Sequence, residues 1–429
     1  MMGNQLSILM LSTHGYVSSE PELGKPDTGG QVLFVLELGK RFSRLGHKVD
    51  LVTRQFEGQP EVDQVTQNFR ILRIPFGGDS FIRKEDMHDH IGDFVTNFLA
   101  HIRNQHLHYD VVNSHYWDAG WAGQRIAEEL DIIHIHTPHS LGWWKRQEMQ
   151  EEGSDIEGNY RFDERVHKEY RIYNSCDHII ATSTDQVDII KEKYDVDPKD
   201  ITTLPPGIDE GRFYPIPREE LAEVRAKFNL TSHDILLLGR LADNKGYDLL
   251  LRAVPEIQKQ IPDVRVIMGV GGDDPSEKDI QFRQGLADLA VELGIDDRLI
   301  WVNYVPDEDL ANYYRSAGVF VMPSRYEPFG MTAVEAMACG TPTIVTRNGA
   351  LYKSLNFGTN AFFANPESII ELAALSVIAL RYEDIADRLS REGARLARKK
   401  FGWTGIARST LDLFSSLIQV RKFEDSDLI

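Results

Sequence analysis

The chain alternates short, wholly apolar runs with longer amphipathic stretches from end to end, which restricts it to helices layered over parallel sheets. A strand buried on both faces reads as a continuous apolar run, because neither face meets water. One set of such runs is Ile8 to Leu11, Val49 to Val52, Ile71 to Ile74, Val111 to Asn113, Ile133 to His136 and His178 to Ala181. A second set is Ile235 to Leu238, Val264 to Met268, Leu299 to Val302, Val319 to Met322 and Thr343 to Val345. Between them lies Thr203-Leu-Pro-Pro-Gly-Ile-Asp, a proline- and glycine-broken connection of the kind found between domains. The sequence therefore predicts an α/β protein of two Rossmann-like, doubly wound domains, residues 1–205 and 206–402. Such sheets bind ligands beyond the carboxyl ends of their strands, so two of them side by side are expected to face one central cleft.

Bulk properties narrow the function. Hydrophobic content of 42% with 26% charged residues is that of a soluble globular protein. The 47 basic and 66 acidic residues give a formal charge of −19, which repels a polyanion at long range and argues against a nucleic-acid partner. A small phosphorylated ligand needs only a local basic pocket. Cys176 and Cys339 have no metal-ligand spacing and are expected to be reduced and buried. The N-terminus has no basic region and too short an apolar run for a signal peptide, and no stretch approaches the ~20 apolar residues of a membrane span. A cytoplasmic protein without a membrane partner is the expectation. The polar stretch Gln147 to Asn159 reads as a mobile loop.

The clearest chemical signal is Ser324-Arg-Tyr-Glu-Pro-Phe-Gly-Met-Thr-Ala-Val-Glu-Ala-Met-Ala-Cys-Gly-Thr-Pro, in which seven residues separate Glu327 from Glu335. Glu327 falls in the loop after a buried strand, and Glu335 falls on the helix predicted from Thr332 to Cys339, which stops at Gly340. Amides around Phe329, Gly330, Met331 and Thr332 at that helix start are donors for a phosphate, while carboxylates accept from hydroxyls. A sugar nucleotide carries both groups. Spacing alone is also met by any amphipathic helix with a solvated glutamate. With its Tyr-Glu-Pro-Phe-Gly turn and Cys-Gly-Thr-Pro ending, however, the segment resembles the E-x7-E signature of retaining glycosyltransferases of the two-domain GT-B fold. The similarity is to the large family 4 that contains the sucrose-phosphate and mannosylfructose-phosphate synthases.

That resemblance spans nearly the whole chain and implies roles for several motifs in the first domain. Asp27-Thr-Gly-Gly-Gln opens a helix near Val32; it reads equally as a glycine-rich turn with a cap or as a ligand loop. The family places Gly30 and Gln31 against the acceptor sugar and the donor phosphates. In Ile74-Pro-Phe-Gly-Gly-Asp-Ser-Phe-Ile-Arg-Lys-Glu, surface charge is the ordinary fate of Arg83 and Lys84, but a lysine matching Lys84 binds the acceptor phosphate in sucrose-phosphate synthases. His115 and His139 follow successive strands; with no carboxylate or cysteine completing a ligand set, hydrogen bonding is expected rather than metal. The family puts His139 on the donor sugar and His115 behind it. Lys145 is a second candidate for the acceptor phosphate, and Trp143 and Trp144 read as packing residues ahead of a sugar-stacking surface. Arg165 and Glu169 at i, i+4 make a surface ion pair on spacing alone, whereas the family assigns the arginine to the acceptor phosphate.

In the second domain, Leu238-Gly-Arg-Leu-Ala-Asp-Asn-Lys-Gly repeats the family's G-R-x(4)-K clamp, which gives Arg240 and Lys245 to the donor diphosphate. Arg347-Asn-Gly-Ala stands where Gly-Gly-Pro is commoner. The resemblance implies a retaining, metal-independent hexosyltransferase without cofactor, with the helix at 403–429 packing back on the first domain. Catalytic roles fall to His139, Arg240, Lys245 and Glu327, and Glu335 is expected on the ribose. Two products compete: sucrose 6-phosphate from UDP-glucose and fructose 6-phosphate, ranked first, and mannosylfructose phosphate from GDP-mannose. A separate sugar phosphatase would then be a partner. An oxidoreductase is disfavoured because G-x-G-x-x-G is absent after the first strand, and a non-catalytic sugar-nucleotide sensor because both clamp cations are present.

Overall fold

The computed structural model describes residues 5–19, 30–78, 82–83, 85–151, 160–271, 277–302, 305–325, 327 and 329–427. The chain forms two compact units: residues 1–206 with 406–429, and residues 207–405.

The first unit is built on an eight-stranded sheet in the order β3-β4-β2-β1-β5-β6-β7-β8. Its strands are β1 (Ser7–Leu11), β2 (Lys48–Arg54), β3 (Val62–Thr66), β4 (Phe69–Ile74), β5 (Val111–His115), β6 (Ile133–Thr137), β7 (His178–Ala181) and β8 (Ile201–Thr203). Every pairing is parallel except β3 with β4, whose connection is only Gln67-Asn68 and allows nothing but a hairpin. Apart from β2 and β4, which are connected through β3, the parallel strands are linked through helices that cover the sheet, so β1, β5, β6 and β7 are almost wholly buried. Phe94 and Phe98 of the helix Ile91–Gln105 pack with Leu9, Leu11 and Val112 in the core.

The final helix, Trp403–Asp427, contributes its residues from Ile406 onward to this first unit. Phe414 is fully buried there, its ring centroid 5.8 Å from that of Phe42, and Arg421 pairs with Asp131.

The second unit has a six-stranded, wholly parallel sheet in the order β11-β10-β9-β12-β13-β14. Its strands are β9 (Asp234–Gly239), β10 (Arg265–Val270), β11 (Leu299–Val302), β12 (Val319–Met322), β13 (Thr343–Thr346) and β14 (Phe362–Ala364). In each sheet the chain order reverses beside the first strand, between β1 and β5 and between β9 and β12. These are the points where an open α/β sheet splays its loops apart and leaves a crevice.

All eleven apolar runs are strands within a residue or two of their expected ends. β3, β8 and β14 were not anticipated: β3 is an exposed edge, and the other two are three residues long. The expected loop at 147–159 is corrected in part, because the helix Gly142–Glu151 runs into it; residues 152–159 lie outside the described residues. Both cysteines are free, but only Cys339 is buried; Cys176 is half-buried. No helix among the described residues is long and apolar enough to cross a membrane.

Candidate active site

The first unit gathers histidines at its switch point. His115 ends β5, and His139 lies two residues past β6, in a left-handed backbone conformation at φ 60°. Their rings meet in a hydrogen bond of 3.0 Å between Nδ1 of His115 and Nε2 of His139. Burial pushes both imidazoles below their ordinary value, and the neighbouring histidines His139 and His136 push His115 down further, as His14 does His139. Both rings are therefore neutral near pH 7, one donating to the other, which makes them hydrogen-bonding groups for hydroxyls. The carbonyl of His139 accepts from Nε2 of Gln186 at 3.2 Å, and Phe34 sets its ring edge against the imidazole, with centroids 4.8 Å apart.

Tyr116, the residue after His115, has φ 75° and ψ 161°, a region that side chains other than glycine's rarely occupy. Such backbone carries about 1–3 kcal/mol of strain and persists only where the surroundings enforce it. Here the enforcement comes from Arg165. Its guanidinium donates to the Tyr116 hydroxyl at 3.0 Å, to the Ser140 carbonyl at 2.9 Å and to Glu169 at 2.8 Å. The pair is not the surface one that spacing alone allows: the Arg165 and Glu169 side chains are 5% and 0% exposed. Burial opposes the charge on Arg165, yet Tyr116 and Glu169 outweigh it and raise its pKa above the arginine norm. Glu169 also accepts the amide of Gly142 at 2.9 Å and the hydroxyl of Tyr194, which fixes the start of the helix carrying Lys145.

Gly30 begins the helix Gly30–Arg44, and a Cβ built on it would meet nothing within 4 Å among the described residues, so no contact with them demands its glycine. Gln31 donates to Oγ of Ser12 at 3.1 Å and to the carbonyl of His115 at 3.3 Å, bridging the exits of β1 and β5. Lys145 is half-buried, with its ammonium 5.9 Å from the ring centroid of Tyr160. Lys84 lies outside the described residues. The loop leading toward it is anchored by the buried Arg54, which donates to the carbonyls of Phe76 at 3.1 Å and Gly78 at 2.7 Å.

Reasoning from sequence missed a buried dyad in the same place. Nδ1 of His14, just past β1, lies 3.0 Å from the carboxylate of Asp118, which also accepts from Thr13 at 2.6 Å. Burial pushes the Asp118 carboxyl up, but His14, Thr13 and the Ala119 amide outweigh it and hold it below its usual range. The carboxylate fixes His14 with Nδ1 protonated. The signal was available, since Ser12-Thr-His-Gly directly follows the first strand.

In the second unit, a cavity of about 350 Å³ opens at the switch between β9 and β12. Arg240, Lys245, Glu327, Phe329, Gly330, Met331 and Thr332 line it. The helix Met331–Ala338 starts at this cavity and presents its free amides there. Lys245 reaches Glu327 with Nζ 2.5 Å from Oε2. A Cβ on Gly246, at φ 63°, would lie 2.2 Å from the Pro323 carbonyl, so only glycine lets the turn carrying Lys245 sit this close to the exit of β12. Gly349 does the same for Glu327: a Cβ there would lie 1.9 Å from the Glu327 carbonyl.

Glu335 does not line that cavity. It accepts from the Tyr314 hydroxyl at 2.8 Å, and burial raises its carboxyl to about 7. Elsewhere, His88, Asp89 and Glu164 offer one ligand atom each within 4.8 Å of one another, a grouping the sequence spacing does not reveal. Arg161 already binds both carboxylates and Lys168 binds Glu164, so cations of the protein occupy that cluster.

Residues 28–212 match the family described as Glycosyltransferase Family 4, and residues 219–396 match Glycosyl transferases group 1. The chain is 44% identical to a mannosylfructose-phosphate synthase of Agrobacterium fabrum, over 98% of this chain and 93% of that protein. It is 31% identical to a probable sucrose-phosphate synthase of Thermosipho melanesiensis, over 90% of this chain and 91% of that one. The solved structure of a sucrose-phosphate synthase from Thermosynechococcus elongatus superposes with a TM-score of 0.69 at 28% identity, covering 97% of this chain and 100% of that one. With two doubly wound units and these matches over nearly its full length, the chain belongs to glycosyltransferase family 4 and is a GT-B glycosyltransferase.

Proposed function

We propose that the protein transfers a hexosyl group from a nucleoside diphosphate hexose to fructose 6-phosphate, with retention of configuration. The observation that carries this reading is the pairing of Lys245 with Glu327 beside Arg240 and the amide end of the helix Met331–Ala338. Two cations and a helix start receive a diphosphate, and a carboxylate held against one of those cations receives the hydroxyls of the hexose. As the bond from the anomeric carbon to the diphosphate breaks, charge grows on the leaving oxygen, and Arg240 and Lys245 neutralise it as a metal does in other transferases. No metal or cofactor enters this scheme. The acceptor oxygen bonds the anomeric carbon on the face the diphosphate leaves, and its proton passes to the leaving phosphate.

In the first unit, neutral His139 bonds the hexose, and His115 sets its tautomer. Gly30 and Gln31 meet both substrates. Lys84 and Lys145 hold the acceptor phosphate, and Arg165, which donates to Glu169, Tyr116 and Ser140, fixes the chain just past β5 and β6. The sucrose reading draws on the sucrose-phosphate synthases among the relatives, and the mannosylfructose reading on the relative of 44% identity. Their common chemistry, transfer to fructose 6-phosphate, is the conclusion. In either case a separate phosphatase would act on the product.

The test is release of nucleoside diphosphate by the purified protein from UDP-glucose, ADP-glucose or GDP-mannose, each with fructose 6-phosphate or fructose. Turnover confined to the phosphorylated acceptor supports the reading, and the best donor names the product. Absence of turnover with every pair sinks the fructose-phosphate assignment.

A further inference from the structure

Three loops leave the carboxyl ends of β9, β12 and β13, and Arg325, in the second of them, is bonded to both of the others. Its amide donates to the carbonyl of Asn244 at 2.8 Å. Its guanidinium donates to the carbonyl of Asp243 at 3.1 Å and, through two nitrogens, to the carboxylate of Asp248 at 2.8 and 2.7 Å. Asp243 and Asn244 belong to the turn Asp243–Lys245, and Asp248 lies in the first turn of the helix Tyr247–Gln258 that follows it. On the other side, the carbonyl of Arg325 accepts from the side-chain amide of Asn348 at 2.6 Å.

The ion pair by itself carries little, because the Arg325 and Asp248 side chains are 45% and 32% exposed and water screens them. Geometry carries more. A planar guanidinium that meets a carboxylate with two nitrogens and a carbonyl with one of them is held in a single orientation, and the amide bond to Asn244 fixes the backbone beneath it. Tyr247 closes the other end of the same turn, its hydroxyl donating to the carbonyl of Arg240 at 2.8 Å. Lys245 therefore leaves a turn fastened at both ends, and Glu327 stands two residues past the residue that fastens one of them. Arg325 is not among the residues that line the donor cavity, so its bonds are spent on the loops.

The segment Arg347-Asn-Gly-Ala, standing where Gly-Gly-Pro is commoner, supplies the third loop. Neither glycine nor proline has a side chain that could donate as Asn348 does.

We propose that Arg325 is a positioning residue for hexosyl transfer: it ties the loop of Lys245 to the loop of Glu327 and so sets the separation of the two groups, while Asn348 fixes Arg325. It acts through Lys245 rather than on the donor, and this role rests on the donor reading given above. A group that must meet charge growing on the leaving oxygen loses much of its effect when its backbone wanders by an ångström, so the tie belongs to the rate more than to the fold.

The experiment has two arms on the full chain. Hydrogen exchange without ligand, read by mass spectrometry over residues 243–247, tests the tie. The amides of Lys245 and Gly246 are bonded to the carbonyls of Ala242 and Asp243, and in Arg325→Gln they should exchange about fivefold faster or more, with β9 and β12 unchanged. Steady-state transfer then tests the role in a cycle of Arg325→Gln, Lys245→Ala and the double variant. Arg325→Gln should lower kcat about tenfold with the acceptor KM within about twofold, and should cost less than about twofold once Lys245 is alanine. Arg325→Lys keeps the charge without the fork and should stay within about threefold of Arg325→Gln, and Asn348→Gly should lose kcat in the same direction. Unchanged exchange in Arg325→Gln, or wild-type kcat in Arg325→Lys, overturns the tie; equal losses with and without Lys245 overturn its action through that residue. If Arg325→Gln fails to fold, Asp248→Asn removes the charged partner at nearly constant shape and makes the same comparison. Wild-type turnover in Lys245→Ala strikes the donor reading instead, and the exchange arm, which involves no ligand, still decides the tie.

Discussion

The ammonium of Lys245 and the carboxylate of Glu327 lie 2.5 Å apart, although they are 82 positions apart in sequence. In the absence of substrate each neutralises the other, so a diphosphate must draw Lys245 away or share it.

Glu327→Gln is therefore expected to bind nucleoside diphosphate more tightly than wild type, because the ammonium is no longer engaged, yet to lose hexosyl transfer. Lys245→Ala is expected to lose both, with kcat falling about 10²–10³-fold, the scale of one lost charge-stabilising group. Calorimetry for the diphosphate and steady-state turnover separate the two. Equal diphosphate affinity in Glu327→Gln and wild type refutes the competition.

Glu335 makes stability depend on pH in an unusual direction for a carboxylate. Its folded value, about 7, lies above the unfolded value of 4.5, so the native state binds the proton more tightly. Stability from this group is full below 4.5 and is lost as pH rises through 7. Glu335→Gln keeps the uncharged form, and thermal melts should show it more stable than wild type at pH 8, by about 1–2 kcal/mol after discounting for partial exposure, and near parity at pH 4.5.

Acid acts on the first unit in the opposite sense. Burial depresses His115, His134, His136 and His139, taking His134 to about 3. Each contributes stability that is present above the unfolded value of 6.5 and is lost as pH falls below it, at about 1.4 kcal/mol per pH unit per histidine. Hydrogen exchange at pH 5 should find β5 and β6 opening before any strand of the second unit. His134→Gln should lower the midpoint of acid unfolding.

Two glycines should respond differently to alanine. Gly349→Ala drives a Cβ into the Glu327 carbonyl and should lower both melting temperature and kcat. Gly30→Ala meets nothing within 4 Å among the described residues, so stability should stay within about 0.5 kcal/mol while the substrate KM rises. Unchanged kinetics in Gly30→Ala would remove that glycine from the site.

Arg165 and Lys145 differ in the same way. Arg165→Gln leaves Glu169 buried and unpaired, a loss of about 3–5 kcal/mol, and should reduce hydrolysis of donor measured without acceptor, because the loop of His139 loosens. Lys145→Ala should raise the acceptor KM alone.

What the sequence made legible was what repeats in one dimension. The buried strands announce themselves as apolar runs, and the turn Tyr-Glu-Pro-Phe-Gly and the spacing from Arg240 to Lys245 survive reading along the chain. β3 escaped because an edge strand with one wet face carries little apolar signal, and β8 and β14 because three residues show no period. Contacts between distant segments were invisible by nature. Nothing along the chain tells that Asp118 holds His14, that Arg165 is buried rather than exposed, or that Glu335 faces Tyr314 instead of the donor cavity.

The helix ending the chain belongs to the unit that begins it. During synthesis the ribosome must make all of residues 207–405 before Phe414 can cover Phe42, a delay of about 10–40 s at ordinary elongation rates. The nascent first unit waits through that interval with an apolar face bare, so its window for capture by a chaperone, or by another nascent chain, is set by translation speed across the second unit.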